Sequence, residues 1–276
     1  MKVRKHSGEI ADFNTKKLRQ SLLKSGAAEN DVQTIIEKIE RQLYDGIPTK
    51  KIYGMAAHLL KKVSASHAAR YNLRTALQLL GPAGFFFEKF IARIFGHDGY
   101  RTKTNLILQG QCVTHEVDVV LEKAGAIEMV ECKFHSSQTA HSDVKVPLYI
   151  LSRFNDLKEN THQIFSKSDQ VEKCWIVTNN RFTADAIKFA NCSGLQLLGW
   201  DYPTTGNIKA KIDQTGLYPI TCLTTMSRME KEQLLILDIL LVKELIEKPE
   251  GLHQIGISKN RQKNILTEAA SLCNIF

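Results

Sequence analysis

Residues 116–134 read EVDVVLEKAGAIEMVECKF, and the pairing this stretch allows decides the fold around it. Ala124-Gly125 fits a two-residue turn between two strands, with glycine supplying the positive φ that such turns need. Around that turn Asp118 falls opposite Glu131, and Glu116 opposite Lys133. Directly opposed residues of an antiparallel pair carry Cβ atoms roughly 4.5–5.5 Å apart, and strand alternation puts 116, 118, 131 and 133 on one face. Their neighbours Val117, Val119, Val120, Met129 and Val130 are apolar, so this charged face is expected within a buried type of sheet.

Two carboxylates that close repel unless a cation joins them. Hard divalent ions such as Mg²⁺ or Mn²⁺ prefer carboxylate oxygen and stabilise the charge that develops in phosphodiester cleavage. Lys133 is placed to orient a water or to meet that charge. A one-residue slip would destroy the pairing and leave a solvated hairpin with cross-strand salt pairs, and spacing alone leaves that alternative open.

Outward from the hairpin, FFFEKFIARIF from Phe85 reads as a helix, followed through Gly99 by a strand region at 101–113. After the hairpin come a helix around Val144–Leu157, a strand at 174–178, a helix at 183–191 and a strand at 195–200. This order predicts an α/β layer with a mixed sheet. Asp201-Tyr202-Pro203 ends it, a loop-rich passage reaches about Ser227, and the remainder reads as helical. Upstream, VRKH, a Ser7-Gly8 turn and EIADF predict a small hairpin. Four helices follow: one from Thr15 capped by Asn14, one striped by Val32, Ile35, Ile36, Ile39 and Leu43, one capped by Thr49, and one from about Ser66 to Leu80. GPAG at 81–84 marks a boundary.

Residues 85–203 resemble the Mrr-type branch of the PD-(D/E)xK restriction-endonuclease-like nucleases. The resemblance rests on Phe87-Glu88, His97–Tyr100, Asp118 in E-V-D-V-V, Glu131-Cys132-Lys133, T-N-N-R-F-T-A-D-A at 178–186 and L-L-G-W-D at 197–201. It implies that Asp118 and Glu131 bind the metal, that Lys133 assists the nucleophile and that Glu88 is an auxiliary acid. The catalytic glutamate is often glutamine in that branch, so Glu131 is the more metal-friendly choice. His115 lies on the opposite face by parity and reads as structural.

Residues 1–80 resemble the ATP-cone, a regulatory nucleotide-binding module, through Val3, Lys5 and Gly8, then Phe13-Asn14, Lys17, Thr49 and Arg70-Tyr71. The resemblance implies an ATP or dATP ligand held by Lys5, His6, Gly8, Lys17 and Thr49. The turn reads Lys5-His6-Ser7-Gly8 where the family commonly has Lys-Arg-Asp-Gly. The start of the helix at Thr15 is itself a ready anion site. Further on, Leu252–Ser258, followed by Lys259, Arg261 and Lys263, hints at a helix–hairpin–helix that would hold a DNA phosphate without reading sequence.

The expected domains are therefore a nucleotide-binding ATP-cone at 1–82, a nuclease at 83–203 and a helical region at 204–276. The net charge of +8 is placed accordingly: residues 1–82 hold 15 Lys and Arg against 7 Asp and Glu, and the rest of the chain is balanced. Polyanion binding, to nucleic acid or a nucleoside triphosphate, is expected there. The six cysteines form no C-x-x-C pair, which argues against a zinc ribbon and a disulfide-stapled fold. No signal-peptide pattern or apolar span is visible, so a cytoplasmic protein away from membranes is expected. The function expected is metal-dependent DNA cleavage under nucleotide control or sensing. A non-cleaving, ATP-responsive DNA-binding regulator on a silent nuclease fold is the rival, a purely structural interaction protein the third reading, and homo-oligomerisation is left open.

Overall fold

The computed structural model describes residues 1–5, 7–81 and 84–273. The chain packs as two compact units, Met1–Ala76 with the chain from Tyr218 on, and Leu77–Leu217.

In the first unit β1 (Lys2–Arg4) and β2 (Ile10–Asp12) make the expected hairpin. Its turn is closed by the Gly8 N–H donating to the Lys5 carbonyl at 3.0 Å. A strand absent from the sequence reading, β3 (Ile47–Pro48), joins parallel to β1 and pairs Val3 with Ile47 and Arg4 with Pro48. Helix α1 (Thr15–Leu23) is capped by Asn14, whose side chain accepts the Lys17 N–H at 3.0 Å. Helix α2 (Glu29–Glu40) buries the apolar stripe from Val32 to Ile39.

The cap expected at Thr49 is corrected. Pro48 holds that position with ψ 133° and no side-chain cap bond, and Thr49 is the first residue of α3 (Thr49–Val63). Pairing of Pro48 with Arg4 carries the extended backbone up to residue 48, so the helix starts directly after it. The expected fourth helix is two helices, α4 (Ala65–Tyr71), capped by Ser64, and α5 (Leu73–Gln78).

The second unit opens on α6 (Phe85–His97), which buries Phe87, Phe90, Ile91, Ile94 and Phe95. The antiparallel strands β4 (Arg101–Gln109), β5 (Thr114–Lys123) and β6 (Ala126–Lys133) follow. Short β7 (His141–Ser142) leads to α7 (Lys145–Leu157) and short β8 (Thr161–His162). Then come β9 (Asp169–Thr178), β10 (Arg181–Phe182), α8 (Ala184–Cys192) and β11 (Gln196–Leu198). The main sheet runs β11-β9-β6-β5-β4, with β8 on β9; β6 and β11 flank β9 in parallel. It is the mixed sheet that the element order predicts.

Where a loop was expected after Pro203, α9 (Ile208–Thr215) forms, capped by the Asn207 side chain on the Ala210 N–H. It buries only Ile208 and Ile212, an apolar pattern too short to announce itself in sequence.

The C-terminal part contributes α10 (Arg228–Ile236), α11 (Val242–Glu247), α12 (Glu250–Gln254) and α13 (Lys259–Cys273). These helices share the first unit with the N-terminal elements rather than forming a third one. Thr221 Oγ1 donates to the buried Ala76 carbonyl at 2.7 Å, Lys61 Nζ to the Thr224 carbonyl at 2.6 Å, and Arg70 lies over the fully buried Tyr218 ring at 5.5 Å. Glu268, also buried, accepts the backbone and hydroxyl hydrogens of both Thr224 and Thr225. Residues 255–258 join α12 to α13. Arg261, expected to be available to phosphate, is instead paired with Glu230. No helix among the described residues is long and apolar enough to cross a membrane.

Candidate active site

The site is built on the β5–β6 hairpin. Ala124 (φ 54°) and Gly125 (φ 88°) both occupy the left-handed region, the signature of a two-residue type I′ turn. Ladder pairs run from Lys123 with Ala126 back to Val119 with Val130, the register expected from the sequence. Val119, Val120, Met129 and Val130 are fully buried.

Beyond Val119 and Val130 the ladder stops, and the pairs expected at 118/131 and 116/133 are not continued. Two side chains take over. Asp118 Oδ2 accepts the Cys132 N–H at 2.6 Å. Arg153 of α7 reaches between the strands, donating one nitrogen to Glu131 Oε2 and the other to the Glu116 carbonyl. Lys133 is paired through its backbone with Thr178 of β9, not with Glu116. On the other side of β5, the ladder with β4 skips Asp118, because Asn105 turns to φ 55°; asparagine is among the few residues that tolerate this backbone. Its amide donates to Glu88 Oε2 at 3.3 Å.

Glu88, Asp118 and Glu131 thus converge at the opened end of the hairpin; Glu131 feels the charges of Asp118 and Glu88, and Glu88 that of Asp118. Burial, then the Asp118 charge, pushes Glu131 up to about 8. Burial, then Asp118, pushes Glu88 up to about 7. Burial raises Asp118 as well, against the Cys132 N–H and Arg153. Lys133 is exposed and lines a cavity of about 330 Å³ with Glu131, Lys145, Tyr149 and Arg153.

A comparison within β6 decides how unusual Glu131 is. Glu128, 4% exposed, has both oxygens satisfied: Trp175 Nε1 donates to one at 2.6 Å and Lys173 Nζ to the other at 3.2 Å. Glu131, 6% exposed, has only Oε2 satisfied, by Arg153; Oε1 is buried with no hydrogen-bond partner. An unpaired buried acceptor costs roughly 1–3 kcal/mol, and a hard cation is the partner whose chemistry suits that oxygen beside a second carboxylate. The donor set therefore fits a divalent ion shared by Asp118 and Glu131. Among the described residues no group of three or more His, Cys, Asp or Glu is already disposed around such a position.

The segment 178–186 anchors the chain leaving Lys133. Thr178 Oγ1 donates to the Lys133 carbonyl at 2.7 Å, the Asn179 side chain bonds both the N–H and the carbonyl of His135 at 2.8 Å, and the Asn180 amide donates to the Ser137 carbonyl at 2.8 Å. Thr183 caps α8. Gly199 packs under this segment, where a Cβ would meet the Asn180 carbonyl at 3.1 Å and the Phe182 ring at 3.2 Å. His115 pairs with Asp156 at 2.7 Å, away from the carboxylate cluster.

In the first unit, Lys5 and Gly8 sit in the hairpin turn, and Lys5 Nζ pairs with Glu9 at 2.8 Å. Lys17 is exposed in the first turn of α1. Thr49 follows Pro48, the partner of Arg4, and so adjoins the same turn. His6 lies outside the described residues. Arg70 faces Tyr218, and Tyr71 packs near Tyr53 at 6.2 Å, so both serve the unit's interior. Sequence reasoning missed Arg153 and Asn105, which act on the site from 22 and 13 positions away and leave no local pattern.

Comparison with known proteins assigns these regions. The ATP cone domain matches residues 1–77, the restriction endonuclease domain of the Mrr catalytic type matches 82–201, and the AF1548-like C-terminal domain matches 218–273. An uncharacterized protein of Archaeoglobus fulgidus is 35% identical over 183 residues, 65% of this chain and 97% of its own length. The crystal structure of AF1548, a protein of unknown function, aligns at 33% identity over 68% of this chain and 97% of that one, with TM-score 0.57. The MspJI restriction endonuclease, solved with a 27-mer oligonucleotide, is a remote neighbour at 14% identity, 52% of this chain, 31% of that one and TM-score 0.34. The chain belongs to the AF1548-like family, with an ATP cone joined to a restriction-endonuclease-type domain of the Mrr kind.

Proposed function

We propose that the second unit hydrolyses DNA phosphodiester bonds with Mg²⁺ or Mn²⁺, and that the ATP cone binds ATP or dATP to control or sense that activity. The unpaired Glu131 Oε1, buried beside Asp118, carries the reading. Asp118 and Glu131 would hold the ion, which when bound neutralises both carboxylates and stabilises the charge of the attacked phosphate. Lys133, fixed through Thr178, orients the attacking water or meets the developing negative charge at the cavity mouth. Glu88, tied to Asn105, is the auxiliary acid. Lys5, Gly8, Lys17, Thr49 and His6 are the proposed nucleotide contacts.

A specific observation favours the rival, a non-cleaving, ATP-responsive DNA-binding regulator: Arg153 already pairs with one oxygen of Glu131 without a metal. One experiment separates the two. Plasmid DNA is incubated with the full chain, with and without Mg²⁺ and ATP, beside Asp118→Ala. Metal-dependent cleavage that Asp118→Ala abolishes supports the nuclease. Cleavage by Asp118→Ala at the parental rate refutes the site, and binding without cleavage under every condition establishes the regulator.

A further inference from the structure

Lys145, Tyr149 and Arg153 are spaced at i, i+4 and i+8 on α7, so they share one helix face. That face lines the 330 Å³ cavity whose other wall is Glu131, Cys132 and Lys133 and whose floor is Val146, Ile150 and Ile176. Arg153 is held by Glu131 and the Glu116 carbonyl, and its guanidinium lies 5.7 Å from the Tyr149 ring centroid. The ring is therefore braced on one side by a fixed cation. It is nonetheless 64% exposed. Neither Lys133 nor Lys145 has an ion-pair partner among the described residues.

An apolar floor, an aromatic ring with a free face and two unpaired ammonium groups are the parts that hold a nucleotide in an unpaired strand: base on ring, phosphates on lysines. The size agrees, since about 330 Å³ lies at the low end of small-ligand cavities, the scale of one nucleotide rather than of a stretch of duplex, and a ring face free to stack takes a base that has left its own stack. We propose that this cavity is a subsite for one unstacked nucleotide of the substrate strand, next to the phosphate presented to Glu131 and Lys133. It follows that the chain prefers single-stranded or frayed nucleic acid to intact duplex. The inference rests on the nuclease reading for its place in the reaction, but its binding step needs no metal.

The test measures binding by the full chain in EDTA, using fluorescence anisotropy of a labelled oligothymidylate and of a duplex of equal length. A pyrimidine strand keeps the probe away from a purine site in the cone. The oligothymidylate should bind more tightly than the duplex. Tyr149→Ala should weaken it roughly tenfold, and Tyr149→Phe should bind like the parent, because stacking needs the ring and not the hydroxyl. Lys145→Ala should weaken it and lower the slope of log affinity against log salt by about 0.7. Unchanged single-strand binding by Tyr149→Ala overturns the subsite, as does an equal loss in Tyr149→Phe or an equal loss on duplex. A parent that never cleaves DNA but shows the Tyr149 pattern keeps the subsite and removes the nuclease reading; a parent that cleaves while Tyr149→Ala binds normally does the reverse.

Discussion

The hairpin of the ATP cone and the hairpin of the nuclease-type unit both carry closely spaced charges, and they treat them in opposite ways. In the first, Lys2 meets Asp12 at 2.9 Å and Lys5 meets Glu9 at 2.8 Å, with all four side chains about half exposed or more. Such exposed pairs are screened by water and contribute little, so a ligand can displace them at little cost. In the second, Glu131 is buried, one oxygen on Arg153 and the other on nothing, with Asp118 and Glu88 close enough to raise its affinity for protons. Surface charge is cheap to reassign, whereas buried and unpaired charge is costly and persists where a ligand completes it.

The largest effect that could break this comparison is at the second hairpin. Asp118→Ala and Glu131→Ala should each abolish cleavage and remove Mn²⁺ binding, with the fold retained, because each removes a ligand of the ion. Lys133→Ala should lose roughly a hundredfold in rate while keeping the metal, since it acts on the nucleophile or the transition state. Nuclease assays and Mn²⁺ titrations on the three variants decide it. A salt-bridged hairpin with no site predicts losses below about 1 kcal/mol of stability and no metal effect.

Next is pH. Glu131 and Glu88 are raised to about 8 and about 7 by burial and then by Asp118. Groups with raised folded-state values stabilise fully below their unfolded values, and that stability is lost as pH rises through the folded ones. Metal-free protein should therefore melt at a lower temperature at about pH 8.5 than at about pH 5.5. Glu131→Gln should flatten the trend, and Mn²⁺ should oppose it. A melting temperature in EDTA that rises across this window contradicts the electrostatic picture.

The first unit gives smaller numbers. Glu268→Ala strands the hydrogens of Thr224 and Thr225 and should cost on the order of 3 kcal/mol, read from urea unfolding. Lys5→Ala or Lys17→Ala should weaken ATP and dATP about tenfold in calorimetric titration, near 1.4 kcal/mol; no heat from the folded parent at millimolar nucleotide refutes the nucleotide site. Asn14→Ala should remove the α1 cap for about 1 kcal/mol.

The sequence by itself determined what depends on neighbours along the chain. Ala124-Gly125 fixed the turn and hence the register from Lys123/Ala126 to Val119/Val130, because a two-residue turn admits one pairing. The stripe of α2 and the cap at Asn14 were legible for the same reason. Tertiary structure decided how that register ends. Arg153 arrives from α7, Asn105 breaks β4 beside Asp118, and Asp118 takes the Cys132 N–H in place of a ladder bond. It also decided that Pro48 pairs with Arg4, which displaced the expected cap at Thr49. The helices after Tyr218 share a unit with the ATP cone by the same kind of distant contact, Thr221 bonding Ala76 and Glu268 bonding Thr224 and Thr225. Turns, caps and stripes are set by energies between residues a few positions apart, so they repeat as patterns. A hydrogen bond between residues 22 or 145 positions apart forms only once packing has placed them, and it leaves no periodicity to read.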